Sequence, residues 1–349
     1  MAGRRILFVT QQVDPGHPAL AATVPMVRAL AERVDEVVVL ADRVVAGALP
    51  ENCRALSFGA RTRLGRGFRF EWALLRELAR RPKPRGVVAH MCPIYAVLAA
   101  PLARPLGVRV LLWFTHWKPT RKATLAEKLS SRVVSVDRRS FPLPSRKVTG
   151  IGHGIDVAEF ACRRDGASRA DFRAVFLGRY SPAKGLPTVL HAVRLAADEG
   201  LDLRLEVYGP ALNAHERAHR AELEQLVAEL GLERRVRLGH AVLRTEVPDV
   251  LTRADVLINN MEAGAPDKVV YEAAASCLPV LASNPVFDDL LDDSLRFDRD
   301  SPRELADRLK TLAALSQEER AALGRRLRER VVERHSVDHW AEGVLQLVS

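Results

Sequence analysis

Two basic residues, Arg179 and Lys184, follow an apolar run that ends at Gly178, within the segment FLGRYSPAKGLPTVL. The run predicts a strand, and the residues after Gly185 predict a helix. Cations at a strand end, beside the amide groups that begin a helix, can converge on one anion. A diphosphate fits that arrangement. An ordinary solvent-facing loop is the alternative interpretation, because basic residues are frequent at the ends of parallel strands.

A carboxylate lies on an otherwise apolar predicted helix in the segment MEAGAPDKVVYEAAASCLPVLAS. A loop with Gly264 and Pro266 opens this helix, and Glu272 lies within it. A carboxylate can accept two hydrogen bonds from a ribose diol. Glu272 could also be a plain surface residue, but a carboxylate among apolar neighbours is costly unless something bonds to it.

Histidines end two predicted strands in the N-terminal half of the chain. His116 follows the run LLWF, and His90 ends the run VVA. Ligands of open parallel sheets bind at the carboxyl ends of the strands, so both histidines are candidates. For His90 we favour a packed or capping role.

Strand and helix patterns alternate along nearly the whole chain, which predicts an α/β fold with parallel sheets covered by helices on both faces. A Pro/Gly-rich stretch around residues 140–160 separates two series of such units. We predict two Rossmann-like, doubly wound domains, residues 1–150 and 151–325. We expect the last segment, 326–349, to be a helix that returns toward the first domain.

Composition narrows the class of protein. The chain has 349 residues, of which 48% are hydrophobic and 28% charged. No apolar run reaches the roughly 18 to 20 residues that a membrane span needs. The start of the sequence has no apolar signal segment, which favours a cytoplasmic protein. The four cysteines have no metal-type spacing, so we expect reduced, mostly buried thiols and no metal site.

The net charge of +10 is distributed unevenly. Residues 1–150 hold 26 Lys+Arg and 10 Asp+Glu, a net of +16, so the remaining 199 residues carry −6. A nucleic-acid-binding protein would explain the total charge. It would not explain Arg179, Lys184 and Glu272 at strand and helix ends, so we expect no nucleic-acid partner.

The sequence resembles the family 4 (group 1) glycosyltransferases, which have the GT-B fold of two Rossmann-like domains facing a cleft. The similar phrases are GIGHGIDVAEF, GRYSPAKG, VYGPA, RVRLGHAV and DKVVYEAAASCLPVLAS. The resemblance covers nearly the whole chain and is strongest from about residue 133. It implies a retaining, metal-independent, hexosyltransferase-like enzyme of glycan biosynthesis, with no cofactor. Its donor would be a UDP- or GDP-linked sugar.

The resemblance also implies roles for residues of the second domain. Arg179 and Lys184, after Gly178, would contact the donor diphosphate and act in catalysis, and Glu272 would hold the ribose. Gly264 stands where the family's E-x7-E motif has its first glutamate, which normally helps to hold the donor sugar. That role could pass to backbone groups near Ala265, to Asp267 or to Glu262. The stretch from Arg235 to Gly239, with Arg237, would flank the base.

For the first domain the resemblance implies that His116 lies beside the reacting sugar as a catalytic residue. The family's first strand leads to a turn near the acceptor. Here that turn has Gly16 and His17, which we expect on the acceptor side. The acceptor itself could be a glycan, a lipid-linked molecule or a small molecule.

A cluster of arginines and aromatic residues spans Arg61 to Trp72, with the sequence RTRLGRGFRFEW. Basic and aromatic residues together are typical of a surface that contacts anionic lipid. This predicts peripheral contact with the inner face of a membrane. A solvated loop with a partly packed aromatic anchor is the alternative.

Two other functions remain open from the sequence. A GT-B epimerase would use the same architecture on a sugar nucleotide. A degenerate, non-catalytic relative would bind a nucleotide only, and Gly264 is the feature that favours it. A dehydrogenase is disfavoured, because the glycine run Gly150–Gly154 lacks the third glycine of the dinucleotide motif.

Overall fold

The chain folds into two compact units. The computed structural model describes residues 4–16, 20–45, 47–116, 118–162, 171–264 and 266–349. One unit is Met1–Asp156 together with Arg334–Ser349, and the other is Val157–Glu333.

The first unit contains a parallel sheet of seven strands, in the order β3-β2-β1-β4-β5-β6-β7. Its central strands are apolar and buried on both faces, as expected of a parallel sheet covered by helices. The strands are β1 (Arg5–Val13), β2 (Glu36–Val44), β3 (Cys53–Ser57), β4 (Gly86–His90), β5 (Arg109–Trp113), β6 (Arg132–Ser135) and β7 (Val148–Gly150). The helices before the second unit are α1 (Thr23–Ala31), α2 (Arg63–Ala79), α3 (Pro93–Ala103) and α4 (Arg121–Leu129).

The second unit contains a parallel sheet of five strands, in the order β10-β9-β8-β11-β12. The strands are β8 (Phe172–Leu177), β9 (Leu203–Tyr208), β10 (Val236–Leu238), β11 (Val256–Asn259) and β12 (Val280–Ala282). The helices are α5 (Leu186–Asp198), α6 (Ala214–Glu229), α7 (Val247–Thr252), α8 (Lys268–Ala275), α9 (Pro302–Ala314) and α10 (Gln317–His335), of which the last two residues, Arg334 and His335, belong to the first unit. The α/β class and the two parallel sheets predicted from the sequence are confirmed.

The last helix, α11 (Val337–Val348), belongs to the first unit. Its Trp340 and Val344 are fully buried. Its end packs closely on β4, because a Cβ added to Gly86 would lie 2.4 Å from Cγ1 of Val348. The N–H of Val337 donates to the carbonyl of Ile155 at 2.8 Å. The end of the chain therefore completes the core of the first unit.

Residues 63–79 form a helix, so the interpretation of the Arg61–Trp72 cluster as a solvated loop is wrong. Thr62 caps α2 by accepting a hydrogen bond from the N–H of Gly65 at 3.0 Å. Phe70 is completely buried and is the packed aromatic anchor. Near the other end of the helix, buried Glu77 pairs with buried Arg5 at 3.3 Å. Burial lowers the pKa of Arg5, and the nearby carboxylates of Glu36 and Glu77 raise it.

The expectation of four reduced cysteines is wrong for one pair. Cys162 and Cys277 form a disulfide that links positions 115 residues apart. Sequence spacing could not predict it, because the tertiary fold alone brings the two positions together. The thiols of Cys53 and Cys92 are free, and burial raises their pKa values to about 11 and about 12. Within the described residues, none of the helices has the length and apolar character of a membrane span.

Mild acid is expected to weaken the first unit through His335. Burial, with the nearby His153, His339 and Arg334, lowers the pKa of His335 from 6.5 to about 3. The unfolded chain therefore binds the proton more tightly than the folded chain between these pH values. The stabilising contribution is complete above about pH 6.5 and declines by up to about 1.4 kcal/mol for each pH unit below it.

Urea unfolding at pH 7 and pH 5 measures this loss, which we expect to be about 2 kcal/mol. His335→Asn should flatten the dependence, whatever its effect at pH 7. His191→Asn, which changes an exposed histidine on α5, is the control and should leave the dependence unchanged. Equal slopes for wild type and His335→Asn would contradict the assignment.

Candidate functional site

The second sheet has a topological switch point at its first strand. The chain runs from β8 to β9 and β10 on one side and then crosses to β11 and β12 on the other. The loops that follow β8 and β11 therefore leave the same edge of the sheet in opposite directions. In open parallel sheets ligands bind at this point.

The loop after β8 carries three of the predicted residues. The N–H of Gly178 donates to the carbonyl of Tyr208 at 2.9 Å, which continues the sheet pairing beyond the strand end. The Lys184 side chain folds back over Gly178, since a Cβ added there would lie 3.2 Å from Cε of Lys184. Gly185 has a φ of +58°, and a Cβ there would lie 2.5 Å from Nδ2 of Asn260. The sequence of this loop thus places a buried lysine against the strand end.

Contacts between the two loops position Lys184. Its ammonium group forms an ion pair with Asp267, and Asn259 donates to the same carboxylate oxygen at 2.9 Å. The N–H of Glu262 donates to the carbonyl of Ala183 at 3.1 Å. Lys184 as a whole residue is only 9% exposed. The buried ammonium group of Lys184, at the switch point, is therefore held by the carboxylate of Asp267 from the loop after β11.

Arg179 is paired with a carboxylate that the sequence analysis missed. Its guanidinium lies 3.1 Å from Glu216, which is itself 4% exposed, whereas half of the Arg179 side chain is exposed. Glu216 also accepts a hydrogen bond from the N–H of Leu212 at 2.8 Å. Asn213 caps α6 by accepting from the N–H of Glu216 at 2.9 Å. The Asn-x-x-Glu spacing of a capping box was the signal that could have placed Glu216 at the start of a helix.

Glu272 lies in a buried ion cluster. Its carboxylate is 3.1 Å from the ammonium group of Lys268 and 3.2 Å from the guanidinium of Arg244. Arg244 also pairs with Glu159 at 2.8 Å and lies over the ring of Phe160, 5.0 Å from its centre. The interpretation of Glu272 as a plain surface residue is wrong, because it is only 6% exposed.

The cluster leaves Glu272 with capacity for a further partner. A carboxylate has about four lone-pair positions, so two cations do not saturate it. Burial lowers the pKa of Lys268, and the charge of Glu272 raises it again. The spacing of Lys268 and Glu272, four residues apart on a helix, was the sequence signal for this pair. Arg244 carried no such signal, since only the fold brings it to α8.

The loop before α8 explains why position 264 is glycine. Gly264 has a φ of +130°, a conformation that residues with a side chain rarely adopt. A glutamate there would be strained. Of the candidates for its role, Asp267 lies against Lys184, whereas Glu262 has an exposed side chain. Ala265 lies outside the described residues.

Arg237 belongs to neither of the two loops. It is on the edge strand β10, pairs with Glu206 of β9 at 2.9 Å and lies over the ring of Tyr208, 5.1 Å from its centre. Its predicted place beside the base remains an expectation.

In the first unit, His116 lies three residues beyond the end of β5. Its ring stacks on Phe114 with centres 5.8 Å apart, and its Nδ1 accepts a hydrogen bond from the N–H of Lys118 at 2.9 Å. The packed role favoured for His90 is confirmed, since its ring lies between Phe8 and Trp113. Gly16 follows β1, and its N–H donates to the side chain of Asp14 at 2.9 Å. His17 lies outside the described residues.

Comparisons with known proteins agree on the class. Residues 163–330 match the family model of glycosyl transferases group 1. A D-inositol 3-phosphate glycosyltransferase from Streptomyces coelicolor is 29% identical over 145 residues, which are 41% of this chain and 32% of that protein. The alignment thus spans about a third of that relative.

Two solved structures are similar over almost the whole chain. HepE from Anabaena, in complex with UDP and glucose, has a TM-score of 0.75 at 16% identity, covering 98% of each chain. The apo form of the lipopolysaccharide outer core galactosyltransferase WaaB has a TM-score of 0.71 at 10% identity, covering 99% of each chain. The chain has the GT-B fold of these structures. Its second unit contains the segment that matches the group 1, or family 4, glycosyltransferases.

Proposed function

We propose that this protein is a retaining glycosyltransferase that takes a sugar from a nucleoside diphosphate-sugar. The observation that carries the proposal is the pair of loops at the switch point of the second sheet. They place buried Lys184, and Arg179 in the same loop, at the edge where such sheets bind ligands.

The leaving diphosphate is the group whose charge rises most during transfer. A preorganised cation beside it stabilises the transition state more than the ground state. Lys184 and Arg179 are held in place before the donor binds, because each is paired with a carboxylate. In this proposal the diphosphate shares Lys184 with Asp267, and Asp267 accepts hydrogen bonds from the donor sugar in place of the missing glutamate at position 264.

The ribose is proposed to bind Glu272 beside its two cations. His116, at the end of a strand of the first sheet, is proposed to contact the reacting sugar. UDP is the first nucleotide to consider, since the similar HepE structure is a complex with UDP and glucose, and GDP is the alternative. The acceptor is a glycan, a lipid-linked molecule or a small molecule.

Thermal unfolding with UDP, GDP and ADP tests the donor site. A ligand that binds only the folded state stabilises it by about 2.7 kcal/mol at one hundred times its Kd. We expect stabilisation by one nucleotide, with UDP the first candidate. If none of the three stabilises the protein at millimolar concentration, the proposal fails. Binding of UDP-glucose without any release of UDP would instead favour a non-catalytic nucleotide-binding protein.

A further inference from the structure

Helix α2 presents an exposed apolar stripe. Leu64, Phe68, Trp72 and Leu75 are 89%, 71%, 58% and 44% exposed. At about 100° per residue their side chains fall within roughly 80° of the helix circumference. Four of the ten large hydrophobic residues that are exposed in the described part of the chain are thus on one face of one helix.

The stripe lies on a different face of α2 from the one that packs against the core of the first unit. Phe70, Leu74 and Leu78 pack into the core there, at 0%, 0% and 2% exposure. The buried pair of Glu77 with Arg5 fixes the same side of the helix. The exposed stripe therefore adds little to the packing of the unit, and its exposed apolar area stays in water unless another surface covers it.

Positive charge borders the stripe. Arg69 and Arg76 are exposed and follow the apolar side chains on the next roughly 60° of the helix surface. Residues 61–81 contain seven arginines and two glutamates, and one of those glutamates is the buried Glu77. A partner that covers the stripe must therefore accept apolar side chains and also attract the positively charged arginines beside them.

We propose that α2 is a peripheral membrane-binding helix that lies in the surface of a bilayer containing anionic lipid. Phe68 and Trp72 enter the boundary between headgroups and acyl chains, and the arginines contact anionic headgroups. Helices of this type combine a basic polar face with aromatic and leucine side chains on the other face. Glu71, half-buried at the opposite edge of the stripe, is the one acidic residue beside it, so the exposed charge next to the stripe is mainly basic. A mainly basic border favours anionic lipid over a protein partner, whose interface would supply acidic side chains of defined position.

This inference does not rest on the donor site, so the two can fail separately. Sedimentation of the full chain with vesicles, without nucleotide, tests it. Two compositions are compared: phosphatidylcholine alone, and phosphatidylcholine with phosphatidylglycerol at about one third, a fraction chosen to give the surface potential of an anionic leaflet. We expect binding to the second and at least about tenfold less to the first.

Three variants define the surface. Phe68→Ser/Trp72→Ser should reduce vesicle binding about tenfold or more. Arg69→Gln/Arg76→Gln should remove most of the preference for phosphatidylglycerol. The control Leu212→Ser/Val332→Ser changes residues that are 64% and 44% exposed in the second unit, and it should bind like wild type. All three should unfold at the wild-type temperature, since the changed side chains are exposed.

Three outcomes would overturn the proposal. The wild type could fail to sediment with anionic vesicles at low salt. The Phe68→Ser/Trp72→Ser protein could bind them as well as wild type. The wild type could be a dimer in the absence of lipid that the same double substitution converts to a monomer, with vesicle binding unaffected, and the stripe would then be an interface between copies of the chain.

Discussion

Lys184→Ala is expected to lower the rate of nucleotide release from the sugar donor by about 10² to 10³, the usual effect of removing one preorganised charge-stabilising group. The surroundings of Lys184 lead us to expect a decrease in rate of about 10³, the upper end of this range. Lys184 is buried and neutralises Asp267. Its removal takes a cation from the diphosphate and also leaves a carboxylate facing the same place.

Release of UDP from UDP-glucose, with water as the acceptor, measures the rate without knowledge of the natural acceptor. Titration calorimetry with UDP gives the change in Kd. Lys184→Ala/Asp267→Asn should recover part of the lost affinity, because it removes the uncompensated negative charge. Recovery of this kind separates a charge effect from a general loss of structure.

The control is Lys310→Ala in the same unit. Lys310 is also paired with carboxylates, Glu199 and Asp307, but it lies on the surface of α9. It should keep wild-type rate and affinity. If Lys184→Ala also kept affinity and rate within about a factor of three, the donor site would have to lie elsewhere.

Glu272→Ala is expected to lower the free energy of unfolding of the second unit by about 3 to 5 kcal/mol, the usual cost of breaking a buried ion pair. Glu272 is the partner of both Lys268 and Arg244. Without it two cations remain in a poorly solvated place. Urea unfolding, followed in the presence and absence of nucleotide, measures the loss.

The pH dependence of this loss identifies its cause. Glu272 raises the pKa of Lys268, whereas burial lowers it. In Glu272→Ala the ammonium group should therefore lose its proton at a lower pH, and the destabilisation should shrink as the pH rises. Lys268→Met in the Glu272→Ala background should restore part of the stability, because it removes one unpaired cation.

The ribose contact is tested separately. Glu272→Gln keeps the shape of the side chain and should weaken nucleotide binding more than it weakens folding. A variant of the exposed pair Asp198 and Arg194, such as Asp198→Asn, is a matched control with a surface ion pair in the same unit, which contributes at most about 1 kcal/mol. A Glu272→Ala protein as stable as this control would show that the cluster contributes little to folding.

Local sequence patterns were sufficient to predict most of the strands and helices and to locate the ends of the strands. Buried parallel strands are apolar along their length, and their turns need glycine, proline or polar residues, so the alternation of β and α could be recognised without any tertiary contact. The same information placed Arg179 and Lys184 after β8 and Glu272 on α8. The helix at residues 63–79 was missed, because its arginines and exposed aromatic residues blur the apolar period.

Only the tertiary structure decided which side chains meet. Lys184 and Asp267 are 83 positions apart, and they meet because β8 and β11 are neighbours in the sheet. The same holds for Arg244 at Glu272, for Cys162 at Cys277 and for Val348 at Gly86. The spacing of apolar residues along a segment indicates which of its residues are buried, because apolar side chains favour burial and polar ones do not. Pairing between distant segments depends on strand order and helix packing, which no local sequence pattern contains. The ion pairs of this site join such distant segments, so only the tertiary structure could identify them.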